Sequence, residues 1–323
     1  MPSHYHVAFW NLENLFDIEH APGRTDKLER AIGADLVGWT QALLDGKIAQ
    51  LASIIRQMSG GQGPDVLGVC EVENERVIRA LANAAAAPGR TYDVVHHDAP
   101  DQRGIDVAFL YDPARLTPTE VFSHAVMRRT ATRDLLQVNF RTASGKSLVL
   151  VGNHWPSRSG GELESAVYRA VAGETLAYFH ERIFEVLGED TPVLAMGDFN
   201  DEPSDASLAG YALSSRSRTK VLKATNPRFF NLMWPLMGQG LGSFYFDNFP
   251  NLLDQFLANK NLLKPGSPIR ALAESAVLYR FPEMVATGLY PRPIPYGGMP
   301  ISKKPINPNG FSDHFPIGVT LEE

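Results

Sequence analysis

Phe311-Ser312-Asp313-His314-Phe315-Pro316-Ile317 sets an Asp-His pair just ahead of an apolar, strand-like run. Four earlier apolar runs carry comparable polar residues, but at their trailing ends. They are Val7-Ala8-Phe9-Trp10-Asn11, Val66-Leu67-Gly68-Val69-Cys70-Glu71, Leu148-Val149-Leu150-Val151-Gly152-Asn153-His154 and Val193-Leu194-Ala195-Met196-Gly197-Asp198-Phe199-Asn200. Short runs of this kind, bounded by turn residues, read as strands. A last strand antiparallel to the others would bring all five polar ends to one edge. Acids and imidazoles gathered on one rim are the layout of a metal-assisted hydrolase.

Composition narrows the field. The 323 residues allow one large domain or two ordinary ones. A hydrophobic content of 44% with 20% charged residues is that of a soluble globular protein with a full core. A net charge of −6 and a pI near 5.9 argue against overall attraction to nucleic acid or anionic membrane, though not against a local basic groove. Cys70 is the only cysteine, so no intrachain disulfide forms, and its place inside an apolar run reads as a small buried hydrophobe. The start, Met1-Pro2-Ser3-His4-Tyr5-His6, enters the first strand without a basic flank and apolar signal segment. No run approaches the roughly 20 apolar residues of a membrane span. A cytoplasmic protein is the simplest expectation, and a mature secreted form would look the same.

Strands are expected at 5–11, 65–71, 91–96, 105–111, 118–125, 134–141, 147–154, 192–197, 242–247, 251–258 and 311–320. Helical spacing marks 41–58, which places Leu44, Ile48, Leu51 and Ile55 on one face before Gly60-Gly61, and also 162–187. An alanine-rich helix is expected over about 75–86. This order suggests an α/β or α+β sandwich with helices outside. The proline-rich stretches 209–241 and 264–310 read as long rim loops on one domain spanning 1–323.

Each polar strand end has a plain structural explanation on its own. Gly-Asp-Phe-Asn suits a turn, and a lone histidine at a strand end is usually a surface residue. Five such ends in one chain are much harder to obtain from turn chemistry. Asp198 and Asn200 form an i,i+2 pair that an extended chain presents on one side. Asn11 and Glu13, Glu71, Asp313 and His314 complete a set of oxygen and nitrogen donors.

With those residues in view, the chain resembles the endonuclease/exonuclease/phosphatase superfamily of DNase-I-like and exonuclease-III-like enzymes along nearly its whole length. The matching pieces are Phe9-Trp10-Asn11-Leu12-Glu13-Asn14-Leu15, Gly68-Val69-Cys70-Glu71, Arg103-Gly104-Ile105-Asp106-Val107-Ala108, Asn153-His154-Trp155-Pro156-Ser157-Arg158, Gly197-Asp198-Phe199-Asn200-Asp201, Leu253-Asp254-Gln255-Phe256 and Ser312-Asp313-His314-Phe315-Pro316. The resemblance implies a four-layer sandwich of two mixed, mostly antiparallel sheets flanked by helices. It implies a metal site of Asn11 and Glu71, with Asp313 as a further ligand and Glu13 as another. Asp198 would activate or orient the attacking water, and Asn200 would hold a phosphate oxygen. His314 would stabilise or protonate at the phosphate, held in its tautomer by Asp254, while His154 would be a second histidine on the phosphate.

Other residues are looser candidates. Arg133 would meet a phosphate, although a solvated strand start is the plainer reading. Asp106 reads as a supporting residue and His96-His97 as a surface pair. Arg128-Arg129, Arg216 to Lys220 and Lys303-Lys304 are basic clusters on loops, where a phosphate backbone would touch. Trp155, Trp234 and Phe229-Phe230 offer rings for stacking or for packing. Oxygen and nitrogen donors favour Mg²⁺, or Mn²⁺, over zinc. The expected reaction is in-line attack of water on a phosphodiester of DNA or RNA. A phosphoesterase for a small or lipid-linked phosphate, of sphingomyelinase or sugar-phosphate phosphatase type, is the alternative. A binding module on an inactive fold is a third reading, which the completeness of the set disfavours.

Overall fold

In the computed structural model, which describes residues 3–101, 103–129, 131–297 and 305–323, the alternation of apolar residues builds two sheets packed face to face. The first contains β1 (His4–Leu15), β2 (Val66–Val72), β3 (Asp93–His96) and β4 (Asp106–Tyr111). The second contains β5 (Leu116–His124), β6 (Leu135–Thr142), β7 (Ser147–His154), β8 (Val193–Asp198), β9 (Ser214–Ser215) and β10 (Phe229–Asn231). A separate hairpin is formed by β11 (Phe244–Phe246) and β12 (Phe249–Asn251). Then β13 (Asp254–Asn259) joins the second sheet, and β14 (Arg270–Leu278) and β15 (Ile317–Glu322) join the first. The orders are β14-β15-β1-β2-β4-β3 and β5-β6-β7-β8-β13-β10-β9.

Period-two alternation decides which layer each side chain enters. Leu148, Leu150, Leu194 and Met196 point into the core between the sheets, with Phe9, Phe109 and Phe256. Their neighbours Val149, Val151, Val193 and Ala195 point the other way, onto Ala172, Leu176 and Ile183 of α4 (Glu162–Leu187). Among the helices, α1 (Asp26–Ile32) comes first and α2 (Gln41–Gly61) and α3 (Glu75–Ala85) follow, these two covering the outer face of the first sheet. The short α5 (Arg218–Lys223) lies near β9 and β10. Helices outside two sheets make the four expected layers.

Close approach of the sheets depends on two strand glycines. A Cβ on Gly68 would stand 2.9 Å from the Phe9 ring, and one on Gly152 would stand 2.5 Å from Val107 of the opposite sheet. No side chain fits at Gly152 without displacing a β4 residue.

The central pairs β1–β2 and β7–β8 are both parallel, so their carboxyl ends open on a common rim. β15 runs antiparallel to β1, with Ile317 opposite Phe9. Residues ahead of Ile317 therefore return to that rim, as the reversed placement of the Asp-His pair required. Likewise β13 runs antiparallel to β8, with Asp254 opposite Asp198.

Several boundaries differ from expectation. Residues 311–316 are irregular, because they turn the chain onto the rim before pairing begins at Ile317. The stretch 264–310 is not all loop: Arg270–Leu278 is an edge strand paired with β15. The stretch 209–241 carries α5, β9 and β10. The cluster Lys303-Lys304 lies outside the described residues. Among the described residues no helix is long and apolar enough to cross a membrane.

Candidate active site

The end of β1 and β2 is shaped by bulges. Register shifts occur between Asn11 and Leu15 and between Cys70 and Val72, and Glu13, Asn14 and Glu71 take φ of 51°, 59° and 63°. A non-glycine residue in the left-handed region costs roughly 1–3 kcal/mol and persists only where its surroundings hold it. Here the Glu71 carboxylate accepts the Asn14 N–H at 2.8 Å, which holds the two bulges together. Asn200 after β8 has φ 52°, and its N–H donates to Asp198 Oδ1 at 2.9 Å.

The five strand ends meet as anticipated. Asn11 Nδ2 donates to Asp198 Oδ2 at 3.1 Å and to Glu71 Oε1 at 3.3 Å, while its Oδ1 accepts the Glu13 N–H at 3.0 Å. Asn11 thus turns its amide nitrogen, rather than its carbonyl, to the carboxylates. His154 Nε2 lies 3.7 Å from Glu71 and 3.9 Å from Asp198. His314 Nε2 lies 3.9 Å from the same Asp198 oxygen, and His314 Nδ1 is 2.7 Å from Asp254. Asp313 stands half-buried next to His314. Ser312 Oγ donates to the Asn11 carbonyl at 2.7 Å, and Trp10 Nε1 donates to the His314 carbonyl at 2.8 Å. Those two bonds tie the first strand to the irregular segment that leads into the last one.

Electrostatics separate the two histidines. Burial pushes His154 well below its usual range, helped by the charges of Arg133, Arg103 and His314. Arg133 has only hydrogens to give, and its Nη2 is 3.0 Å from His154 Nε2, so that nitrogen presents a lone pair. Burial opposes charge on His314 too, but the Asp254 carboxylate, with Asp198 and Asp313 behind it, outweighs burial and raises its pKa to about 10. Asp198 is raised to about 7 by burial, with His314 pulling it down and Asp254 pushing it up.

Other candidates sit away from this cluster or serve it from behind. Glu13 is 1% exposed and its Oε2 accepts the N–H groups of Tyr296 and Gly297 at 2.9 and 3.3 Å, anchoring the second long connection to β1. Asn200 Nδ2 donates to the Trp155 carbonyl at 3.0 Å. Arg133 is buried, donating also to the Trp155 carbonyl, and is not a solvated strand start. His96, expected at the surface, is buried at its side chain and 3.0 Å from Asp106; His97 is exposed. Trp155 and Phe229 are core rings, the first set edge-on to Phe199 at 4.8 Å, so neither is free to stack on a substrate.

Sequence reasoning gave no role to several residues that shape the site. Ser243 Oγ accepts the N–H groups of Leu253 and Asp254 at 3.1 and 3.0 Å and so sets Asp254. Phe244 lays its ring 4.8 Å from that of His314. Arg103 donates to Asn14 Oδ1 at 3.2 Å. Its signal was present in the Arg-Gly-Ile-Asp-Val piece, but a sequence neighbour of a strand start gives no direction. A cavity of about 700 Å³ adjoins the cluster, lined by Arg24, Lys27, Arg76, His97, Asp98 and Asp101 among others. Asp101 links it to the site, lying 3.5 Å from Arg133.

Comparison with solved structures supports the same architecture. An endonuclease/exonuclease/phosphatase family protein from Bacteroides thetaiotaomicron superposes with a TM-score of 0.53 at 17% identity, over 100% of this chain and 98% of that one. A humanized D. rerio TDP2 gives 0.58 at 16% identity, covering 98% of both chains. A mannosyl-6-phosphatase from B. thetaiotaomicron gives 0.53 at 16% identity, over 98% of this chain and 99% of that one. At these identities the likeness is one of fold. No curated protein matches the chain. The model of the Endonuclease/Exonuclease/phosphatase family matches residues 6–323, and the chain belongs to that family of phosphoesterases.

Proposed function

We propose that the protein is a metal-dependent phosphodiester hydrolase, and that its first substrate class is nucleic acid. The observation that carries this reading is the convergence of Asp198, His154, His314 and Glu71 on one rim, with His314 backed by Asp254 at 2.7 Å. Asp198 orients the attacking water and takes up its proton as it closes on phosphorus. His314, held positive by Asp254, faces the charge that gathers on the phosphoryl oxygens or the leaving oxygen. His154 stays neutral and receives a hydrogen bond from Arg133, which holds the guanidinium and its positive charge beside the rim, where it suits a phosphate oxygen. Asn11 holds the carboxylates of Asp198 and Glu71 side by side.

The donor set fits a hard divalent cation. Glu71, Asp313 and Asp198 offer carboxylate oxygens, and burial of Asp198 beside Asp254 leaves a negative field that a cation offsets. These residues would hold Mg²⁺ or Mn²⁺, which would supply positive charge to the phosphoryl oxygens.

The hairpin β11–β12 favours a substrate with rings. Its cross-strand pair Phe246 and Phe249 is 66% and 74% exposed, and Phe244 at its base touches the His314 ring. Exposed aromatic faces beside a phosphate site suit stacked bases. A second reading, a small phosphoester, is favoured by the neighbouring cavity, whose mixed charges suit a polar alcohol group better than a polyanion. The similar folds divide in the same way, since one is a TDP2 solved with a single-strand DNA product and another is a mannosyl-6-phosphatase.

The test is hydrolysis of bis-p-nitrophenyl phosphate with Mg²⁺. Asp198→Ala and His314→Ala are expected to lose the activity while remaining folded by circular dichroism. Near-full activity in either folded variant refutes the assignment, and a wild-type protein inert with Mg²⁺ and Mn²⁺ points to the binding-module reading. Plasmid, single-stranded DNA and RNA, set against sugar phosphates and sphingomyelin, then separate the two substrate classes.

A further inference from the structure

Cys70 is the one thiol of the chain, and the hydrolysis proposed above gives it nothing to do. It lies on β2 beside Asn11 of β1, on the floor of the site. Its Sγ, one ring nitrogen of His154 and one carboxylate oxygen of Asp198 all lie within 4.8 Å of one another. All three residues are buried, at 0%, 3% and 2% exposure. Zinc binds thiolate at about 2.3 Å and imidazole or carboxylate at about 2.0–2.2 Å. Donors already this near need close by only about 1 Å to share one ion.

A second observation is the charge of the floor. Asp254 Oδ1 is buried without a hydrogen-bond partner among the described residues, on the residue directly opposite Asp198 on the ladder, so a cation held on Asp198 would offset an unmatched carboxylate oxygen. His154 Nε2 accepts from Arg133 Nη2 at 3.0 Å, so an ion that took this nitrogen would displace the guanidinium. A thiophilic ion would take Cys70 as the thiolate, its proton leaving to solvent. Glu71, whose side chain is 14% exposed, has its Oε1 3.7 Å from His154, in place to complete four ligands.

We propose that Cys70, His154 and Asp198 form a thiophilic metal site in the floor of the centre, one that takes Zn²⁺ and halts turnover by occupying Asp198 and His154. The site stands on this geometry alone; its inhibitory effect rests on the phosphodiesterase reading. It differs from the hard-cation site in its sulfur ligand, and sulfur gives it a signature.

Metal-free protein titrated with Co²⁺ is expected to develop a thiolate-to-cobalt charge-transfer band in the near ultraviolet. The band should be absent in Cys70→Ala and Cys70→Ser, and addition of Zn²⁺ should bleach it. In the Mg²⁺-supported assay, the Zn²⁺ concentration for half inhibition should rise at least tenfold in Cys70→Ala, each protein being compared with its own uninhibited rate. Wild-type protein that binds Co²⁺ without the band overturns the site, even if neither variant folds. Equal zinc sensitivity in wild type and a folded variant overturns the inhibitory role. A band in protein inert with Mg²⁺ keeps the site and counts against the phosphodiesterase reading instead.

Discussion

Asp254 Oδ2 stands 2.7 Å from His314 Nδ1, and the Asp254 carboxylate is fully buried. On the ladder Asp254 is the direct partner of Asp198, which lies 3.9 Å from the far nitrogen of the same imidazole. One carboxylate therefore holds the ring through Nδ1 and the other lies near Nε2. The imidazole stands between two carboxylates carried by adjacent strands.

Asp254→Asn keeps the size of the side chain and removes the charge that holds His314 protonated. The expected result is a fall in kcat of about 10²–10⁴-fold, the contribution typical of a positioned proton-transfer group, with KM changed much less. Steady-state kinetics on bis-p-nitrophenyl phosphate measure the split. A rise in KM with kcat preserved would show that Asp254 serves binding rather than the reaction.

Ser243→Ala tests the support beneath that pair. The hydroxyl accepts two buried backbone N–H groups, those of Leu253 and Asp254, and the Ser243 carbonyl accepts the Phe315 N–H at 2.7 Å. Stranding buried donors costs about 1–3 kcal/mol. Urea unfolding should register a loss of that size. A variant as stable as wild type would mean that water or a small shift satisfies both donors.

Arg133→Lys is expected to act as a loss despite keeping the charge. The guanidinium reaches His154 Nε2 and the Trp155 carbonyl with one nitrogen and Asp101 with another, a fork that an ammonium does not reproduce. A drop in kcat/KM of about tenfold to a hundredfold corresponds to one lost charge-assisted hydrogen bond. Unchanged kinetics in the lysine variant would reduce Arg133 to a point charge.

The strand ends were legible because each lies in a run whose apolar residues fix its face and length. The antiparallel return of β15 followed from the Asp-His pair standing before its run instead of after it. β14 was not legible: Arg-Ala-Leu-Ala-Glu-Ser-Ala-Val-Leu is poor in strand formers and half-exposed, and it is a strand because β15 offers it an edge. Similarly, α1 has seven residues and one buried side chain, too little for a periodic signal. At the site, residue identities were readable but directions were not. That Asn11 offers its nitrogen and that Arg133 turns inward to His154 are consequences of bulges and cross-sheet packing. Cys70 joins the rim only because β2 and β7 belong to facing sheets.

His180 supplies a pH dependence outside the rim. It is buried in α4, stacked 4.1 Å from Phe229, and neither ring nitrogen has a hydrogen-bond partner among the described residues. Burial, with a smaller push from Lys260, lowers its pKa to about 3. An unfolded histidine titrates near its model value of 6.5, so between those two values the unfolded chain binds a proton that the native state excludes. Stability from this group is therefore whole above pH 6.5 and drains as pH falls towards 3, by up to about 1.4 kcal/mol per pH unit. Urea midpoints at pH 7 and pH 4.5 should fall for the wild type and fall by distinctly less for His180→Leu, which cannot take up the proton. Equal falls in the two proteins would mean that His180 stays neutral in the unfolded chain or is protonated in the native one, and the acid sensitivity would then belong to the carboxylates.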